Sequence, residues 1–230
     1  MMSVQANPLQ VLSPRIESIL ASIDLIGDEE RLIFRGVTWE EYQELLDELG
    51  ERRRVLVSFS EGVLEIMPLS RPHERRKEFI LHLFFALTEE LEIEIETGGS
   101  TTLQREDLER GVEPDTSFFI QHAAEIKNKD THDLSTDPPP DIIVEVDVFS
   151  PSYSKKPIYA AIGVPEFWSY DKKGFQMFKL ERGSYLETKT SLAFPFLQAD
   201  VFEAFIERGK TEGHNAIIRS FREWVRANKP

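Results

Sequence analysis

Apolar and polar residues alternate along this chain in two ways, every third or fourth position in some segments and every second position in others. This pattern predicts a mixture of amphipathic helices and half-buried strands. The N-terminal portion has the order helix, strand, helix, hairpin. Thr38 is a suitable N-cap for a helix over 39–49 that Gly50 ends. Strands over 55–59 and 63–67 form the predicted hairpin.

A long helix is predicted next, over 72–91, because its apolar residues lie on one stripe at helical spacing. The elements that follow are strands over 92–96, 112–121 and 141–148, a helix over 155–162 and a strand over 166–170. The order from 72 to 170 is therefore α-β-β-β-α-β. This order predicts an α/β fold in which helices flank a mixed central sheet.

The C-terminal part is predicted to add a hairpin of strands over 175–180 and 185–189 and a last helix over 215–227. Ile218, Phe221 and Val225 share one face of that helix, which could complete the core or pair two subunits. The segment 130–140 (DTHDLSTDPPP) has the composition of an ordered loop that leads into a strand.

No internal repeat or low-complexity linker divides the sequence, so we predict a single domain over 1–230. The core would span about 72–171, with an N-terminal extension over 1–71 and a C-terminal hairpin and helix over 172–230.

Composition limits the class of protein. Hydrophobic residues make up 40% of the chain and charged residues 30%, which is typical of a soluble globular protein. We expect no transmembrane span, no signal peptide and a cytoplasmic location. Because the chain has no cysteine, disulfides and thiolate metal sites are excluded. The net charge of -14 argues against nonspecific coating of nucleic acid, although a metal-dependent site itself needs carboxylates.

Candidate chemistry appears first in the strand over 141–148 (DIIVEVDV). Because strand side chains alternate between faces, Glu145 shares a face with Asp141, Ile143 and Asp147. An acid in the middle of a valine-rich strand is costly to bury unless it is paired or bound to a metal. From the strand alone, solvent exposure or a salt bridge explains Glu145 equally well.

Asp115 lies near the start of the preceding predicted strand, where an acid beside proline is most often a turn or cap residue. Taken with Glu145, about 30 residues later, it gains a second interpretation. Two carboxylates on neighbouring strands can converge on one Mg²⁺ ion, which prefers a few carboxylates together with waters and phosphate oxygens. The pair therefore predicts a site for metal-assisted phosphodiester hydrolysis.

Several motifs, loose individually but specific in their order and spacing, resemble the large bacterial Uma-two family. They are PHE at 72–74, GVEPD at 111–115, PPPDIIVEVDVFSPS at 138–152, KKPIYAAIGVPEFWSYD at 155–171 and SLAFPF at 191–196. The family is grouped with the restriction endonucleases of the PD-(D/E)XK superfamily. The resemblance covers roughly 34–226, nearly the whole chain, and implies a nuclease fold and a Mg²⁺- or Mn²⁺-dependent activity on nucleic acid.

The resemblance also assigns roles to residues. It implies that Asp115 and Glu145 are the metal carboxylates. The superfamily pattern has a lysine two residues after the second acid, and Asp147 stands there in this chain. The resemblance implies that the lysine comes instead from the following helix. Lys155 matches that place and can face the same way as Tyr159, one turn later, whereas Lys156 is the less suitable substitute.

The long helix opens with His73 and Glu74. Glu74 resembles the helix acid that completes the metal shell in many nucleases of the superfamily, although a first-turn acid also favours the helix dipole. His73 is either a partner of the site or a buried, hydrogen-bonded histidine. Basic residues cluster nearby and could contact phosphates or form a solvated face: Arg71, Arg75, Arg76 and Lys77. The same two interpretations apply to Arg52 to Arg54, which precede the predicted strand over 55–59.

Three functions remain open from the sequence. The first is a metal-dependent endonuclease, acting on DNA, with Asp115, Glu145 and Glu74 as metal ligands and Lys155 as the catalytic cation. The second is a binding protein that keeps the fold and does not cleave. The third is a hydrolase of a small phosphorylated substrate. A homodimer is expected for the first, since restriction-type nucleases often cut both strands as dimers.

Overall fold

The computed structural model describes residues 12–27, 30–50, 54–129, 131–147 and 155–230, and these contain seven α-helices and eleven strands. The helices are α1 (Pro14–Ile23), α2 (Trp39–Leu49), α3 (Arg71–Leu91), α4 (Ala123–Ile126), α5 (Lys156–Ile162), α6 (Ala199–Arg208) and α7 (His214–Asn228). The strands are β1 (Leu32–Arg35), β2 (Val55–Ser60), β3 (Val63–Pro68), β4 (Glu96–Thr97), β5 (Leu103–Arg105), β6 (Arg110–Val112), β7 (Thr116–Phe119), β8 (Ile142–Val146), β9 (Glu166–Asp171), β10 (Gly174–Glu181) and β11 (Ser184–Thr188). Of the sequence predictions, Arg52, Arg53, Asp130 and Val148 lie outside the described residues.

The N-terminal part forms an antiparallel sheet in the order β1-β3-β2-β6-β5. Helices α1 and α2 share a hydrophobic core with this sheet, in which Tyr42 and Leu45 are fully buried. The predicted cap of α2 is confirmed, because the Thr38 side chain accepts a hydrogen bond from Glu41 N and the Glu41 side chain accepts one from Thr38 N. The predicted order helix, strand, helix, hairpin is therefore confirmed.

The second sheet has the order β11-β10-β9-β8-β7-β4 and is mixed, since β8 and β9 run parallel and the other pairs antiparallel. Helices cover both of its faces. Ile142, Val144 and Val146 of β8 belong to the core cluster that includes α3, whereas Ile143 points the other way and packs with α5. The predicted α/β class, with an α-β-β-β-α-β core around a mixed sheet, is confirmed.

One predicted strand, over 112–121, is wrong as a single element. The chain forms β6 in the first sheet, leaves it at Glu113 and Pro114, and enters the second sheet as β7. Pro114 has no backbone N–H and so cannot continue a ladder. Asp115 consequently lies where the chain crosses from one sheet to the other, immediately before the first residue of β7.

Other elements also differ from the prediction, among them β5 and α4, which were not predicted. The strand over 92–96 is reduced to Glu96–Thr97, because α3 ends with Glu92 in the left-handed conformation and the chain must turn there. Helix α6 was not predicted. Its buried residues Phe202, Phe205 and Ile206 have helical spacing, so this signal was present in the sequence.

The apolar face of the last helix completes the core. Ile217, Phe221 and Val225 of α7 are buried in the cluster that contains α3 and α6. Ion pairs from Arg222 and Arg226 to Glu90 further join α7 to the end of α3. This face is therefore occupied within the chain and does not serve to pair subunits. Among the described helices, none combines the length and apolar character needed to cross a bilayer.

Glu166, at the start of β9, holds the segment over 191–194 against the sheet. Its Oε1 accepts a hydrogen bond from Trp168 Nε1 at 2.7 Å, and its Oε2 accepts bonds from Leu192 N at 3.0 Å and Ala193 N at 3.1 Å. Ser191 Oγ donates a fourth, at 3.2 Å. The buried carboxylate thus acts as a structural acceptor, apart from the candidate catalytic residues.

Replacing Glu166 with glutamine should lower the free energy of unfolding by about 2–3 kcal/mol, because one accepting oxygen becomes an NH₂ group that faces buried donors. Urea denaturation measures this loss. Glu187, exposed on β11, supplies the matched control, and Glu187→Gln should leave the midpoint unchanged. An unchanged midpoint for Glu166→Gln would show that the four hydrogen bonds contribute little.

Candidate active site

Asp115 lies immediately before β7, and Glu145 lies on the adjacent antiparallel strand β8. The register of β7 and β8 pairs Thr116 with Val144 and Ser117 with Ile143. One further step brings Asp115 opposite Glu145, and side chains at such opposed positions have Cβ atoms about 5 Å apart. Asp115 Oδ2 also accepts a hydrogen bond from Val146 N at 2.6 Å. The structure therefore brings the two predicted carboxylates together, and both are buried.

Residues at the start of α5 bind the Glu145 carboxylate. Lys155 Nζ lies 3.1 Å from Glu145 Oε1 and 2.9 Å from Oε2, and the Tyr159 hydroxyl donates to Oε1. Lys155 Nζ also donates to the carbonyl of Glu113 at 3.0 Å, which ties α5 to the crossing between the sheets. The expectation that Lys155 and Tyr159 face the same way is thus confirmed.

Lys156, the alternative lysine, points elsewhere. Its ammonium group lies over the ring of Phe178, 3.2 Å from the centroid, and also near Phe167. Of the two neighbouring lysines, Lys155 is the one that contacts the carboxylate.

Burial and neighbouring charge set the protonation of the two acids in opposite directions. Burial, reinforced by the charges of Asp115 and Asp147, raises the pKa of Glu145 to about 8, although Lys155 opposes the shift. Burial also raises the pKa of Asp115, but His73 and Lys155 outweigh it and leave that pKa below its usual value. Asp115 is therefore ionised at neutral pH, while Glu145 retains a high affinity for a proton.

His73 connects Asp115 to Glu74. Its Nε2 lies 3.0 Å from Asp115 Oδ2, and its Nδ1 lies 3.1 Å from Glu74 Oε1. Burial lowers the pKa of His73, but the two carboxylates outweigh this effect and raise the pKa to about 9. The imidazole therefore carries a positive charge between two acids. This contact favours the interpretation of His73 as a partner of the site.

Glu74, the predicted third metal ligand, does not join the other two acids in this geometry. Its Oε2 pairs with Lys77 Nζ at 2.6 Å, and its Oε1 faces His73. Across the described ranges, no group of three or more histidine, aspartate or glutamate side chains is arranged to hold a metal ion. Glu74 thus reaches Asp115 only through His73.

Asp147, which stands where the superfamily pattern has lysine, pairs with Arg31 just before β1. Arg31 also pairs with Glu65 of β3 at 2.6 Å. Sequence analysis missed Arg31, and no local signal identifies it, since 116 positions separate it from Asp147. The contact neutralises an acid two residues from Glu145 and joins the first sheet to the site.

The basic residues around the start of α3 have different surroundings. Arg71 and Arg75 are exposed, and Lys77 pairs with Glu74. Arg76 is partly buried, and within the described part of the chain its buried Nη1 atom has no hydrogen-bond partner. Arg54, the described member of the 52–54 group, is exposed. The predicted cluster is therefore not a single surface.

The carboxylate pair suits a hard divalent cation. Asp115 Oδ1 is buried and, in the described residues, has no hydrogen-bond partner. Glu145 Oε2 accepts from Lys155 alone among the described contacts, and a carboxylate oxygen has a second lone pair. Mg²⁺ is commonly held by one or two carboxylates, with waters and substrate phosphates completing the octahedron. Asp115 and Glu145 supply such a set, with Asp115 Oδ1 as an acceptor that lacks a partner.

The comparison with family models agrees with the resemblance. The model of the Uma2 family, described as "Putative restriction endonuclease", matches residues 39–207. The chain is also similar in structure to a putative nuclease belonging to DUF820 from Anabaena variabilis ATCC 29413, with 15% identity and a TM-score of 0.45, over 82% of this chain and 99% of that one. No curated protein matches the chain.

Proposed function

The chain belongs to the Uma2 family of restriction-endonuclease-like proteins, and from this premise we propose that it is a Mg²⁺- or Mn²⁺-dependent endonuclease that acts on DNA. The observation that carries the proposal is the buried carboxylate pair. Asp115 Oδ1 lacks a partner among the described residues, and Lys155 contacts Glu145 directly. Both acids are paired through their other contacts, so the Oδ1 atom of Asp115 is what favours a metal site, because a buried acceptor without a partner is costly.

In the proposed reaction, Asp115 and Glu145 hold the ion. When bound, the ion would polarise the scissile phosphate and lower the pKa of an attacking water. Positively charged His73 keeps Asp115 ionised, because it stabilises the carboxylate form. Val146 N orients the same carboxylate by donating to Oδ2.

Lys155 supplies a positive charge that does not depend on the ion. Its ammonium group is buried, and the carboxylates around it raise its pKa against the opposing effect of burial, so it stays protonated. In a site that excludes water, such a charge stabilises the negative charge that develops on phosphate oxygens in the transition state. Lys155 also keeps Glu145 in position for metal binding.

Cleavage of a panel of nucleic acids tests the proposal. Supercoiled and linear DNA and single-stranded RNA are incubated with purified protein in Mg²⁺, in Mn²⁺ and in chelator. We expect cuts in DNA that require the ion. A parallel preparation of Asp115→Ala identifies activity that comes from contaminating nucleases. A pure preparation that cuts nothing with either ion, or that cuts equally well in chelator, would reject the proposed function.

A further inference from the structure

A cleft of about 410 Å³ opens beside the candidate active site, between α3, the turn that joins β9 to β10, and α6. Asp147 forms part of its wall and follows Glu145 by two residues, a distance of roughly 7 Å at ~3.3 Å per strand residue. Strands β8 and β9 are parallel, and Asp147 N donates to Tyr170 O at 2.8 Å. The cleft therefore lies at the edge where both strands end, next to the carboxylate pair.

Four basic and four acidic residues line this cleft, so its charge is balanced, in contrast to the chain as a whole, whose net charge is -14. Arg76, Lys172, Lys173 and Lys210 line it. Lys210 pairs with Glu207 at 2.6 Å. Among the described residues, the other three have no ion-pair partner.

Of the four acids that line the cleft, Asp147 and Glu207 have ion-pair partners. Asp147 pairs with Arg31, and Asp171 Oδ1 accepts a hydrogen bond from the backbone N–H of Lys173 at 2.6 Å. Glu203 lies close against Gly174, where an added Cβ would come within 2.0 Å of its Oε1. Three cations without an ion-pair partner among the described residues thus face Asp171 and Glu203, and Arg76 also interacts electrostatically with Glu207. The hydrogen-bonding capacity of Arg76, and not an excess of positive charge, is what favours an anion in this cleft.

Arg76 is the residue best placed to bind that anion. It follows His73 by three positions on α3, so the two side chains are neighbours on the helix surface. His73 contacts Asp115, which puts Arg76 beside the metal site. Its buried Nη1 has no acceptor within the described ranges, a costly state for a guanidinium nitrogen. A planar guanidinium matches the geometry of a phosphate group better than an ammonium does.

We propose that this cleft binds a backbone phosphate of the nucleic-acid strand adjacent to the scissile phosphate, with Arg76 as its main ligand and Lys172 and Lys173 beside it. The wall of the cleft begins roughly 7 Å from Glu145, at ~3.3 Å per strand residue, which places the proposed phosphate close to the scissile one. This inference rests on the proposed nuclease function, because the cleft would bind the substrate of the same site.

Fluorescence anisotropy of a labelled DNA duplex, titrated with protein in chelator at several salt concentrations, tests the assignment. Each phosphate contact adds about 0.9 to the slope of log K against log salt. Arg76→Gln should weaken binding about tenfold and reduce that slope by about 1. Lys172→Gln combined with Lys173→Gln, a change in a surface turn, should act in the same direction. Arg219→Gln, the same charge change at an exposed position of α7, should leave both quantities unchanged.

Two further measurements separate this inference from the proposed function. Mn²⁺ binding by Arg76→Gln, measured by calorimetry, should equal that of the unmodified protein, because Arg76 is not a metal ligand. Titration of the protein–DNA complex with inorganic phosphate, followed by anisotropy, shows whether the cleft prefers a phosphate of a nucleic-acid strand or a free phosphate.

The outcomes are distinct. An Arg76-dependent salt slope in a protein that cuts nothing would uphold the phosphate site and reject the nuclease. A cutting protein whose slope is unaffected by Arg76→Gln would overturn the phosphate site and keep the nuclease. Arg76-dependent binding of inorganic phosphate without DNA binding would also overturn the assignment to a nucleic-acid strand.

Discussion

Replacing Asp115 with asparagine should reduce metal-dependent cleavage of DNA by about a thousandfold or more, which corresponds to about 4 kcal/mol of transition-state stabilisation. The change removes the charge of a proposed ligand whose Oδ1 has no other partner among the described residues. Metal-ion catalysis contributes several kcal/mol, so loss of the ion accounts for this magnitude. The asparagine carbonyl can still accept from Val146 N, and the fold should survive. Initial cleavage rates in Mg²⁺ measure the effect.

Asp47→Asn is the matched control for this variant, because Asp47 is exposed on α2 and undergoes the same charge change. It should cut DNA at the rate of the unmodified protein. Retention of more than a tenth of the activity by Asp115→Asn would show that Asp115 does not hold the catalytic ion.

Replacing Lys155 with methionine should lower cleavage by about 100- to 1000-fold, the range seen when one preorganised charge or donor is removed from an active site. It should also destabilise the fold. Removing one partner of a buried ion pair leaves Glu145 without its cation and typically costs about 3–5 kcal/mol. Cleavage assays and urea denaturation in chelator measure the two effects separately.

The loss of stability in Lys155→Met should depend on pH. The folded-state pKa of Glu145 is about 8, against an ordinary value of 4.5. Its contribution to stability is therefore fully present below pH 4.5 and is lost as the pH rises through about 8. Lys155 lowers this pKa, so in the variant the loss should continue to higher pH. The gap in unfolding free energy between the two proteins should widen above pH 8.

Lys156→Met provides the control for this experiment. Lys156 is adjacent in the chain and lies over Phe178 rather than beside Glu145. Its replacement should leave cleavage and the pH profile close to those of the unmodified protein. If Lys156→Met loses cleavage and Lys155→Met keeps it, the assignment of the catalytic lysine is wrong.

The parts of the site that sequence analysis found are those with local patterns. Alternation along β8 separated Glu145 from the valines, and helical spacing aligned Lys155 with Tyr159. The resemblance implied that Asp115 and Glu145 act together. Their pairing depends on the register of two strands, which the ladder between β7 and β8 supplies.

Other features depend on contacts between distant segments, and local pattern could not predict them. Arg31 pairs with Asp147 across 116 positions. The crossing between the two sheets at Glu113 and Pro114 looked like one continuous strand, because Val112 precedes it and the apolar residues 118–120 follow within a few positions. The cleft beside the site forms only where the ends of β8 and β9, the start of α3, and α6 meet in the folded chain.

The central claim is that Asp115 and Glu145 share a divalent cation. Anomalous diffraction from a crystal soaked in Mn²⁺ tests it most directly. We predict one strong peak between the two side chains, at about 2.1–2.2 Å from Asp115 Oδ1 and from a Glu145 oxygen, close to the bond lengths of octahedral Mg²⁺ sites. The same soak of an Asp115→Asn crystal should lack this peak. A peak elsewhere in the molecule, or none beside Asp115, would contradict the claim.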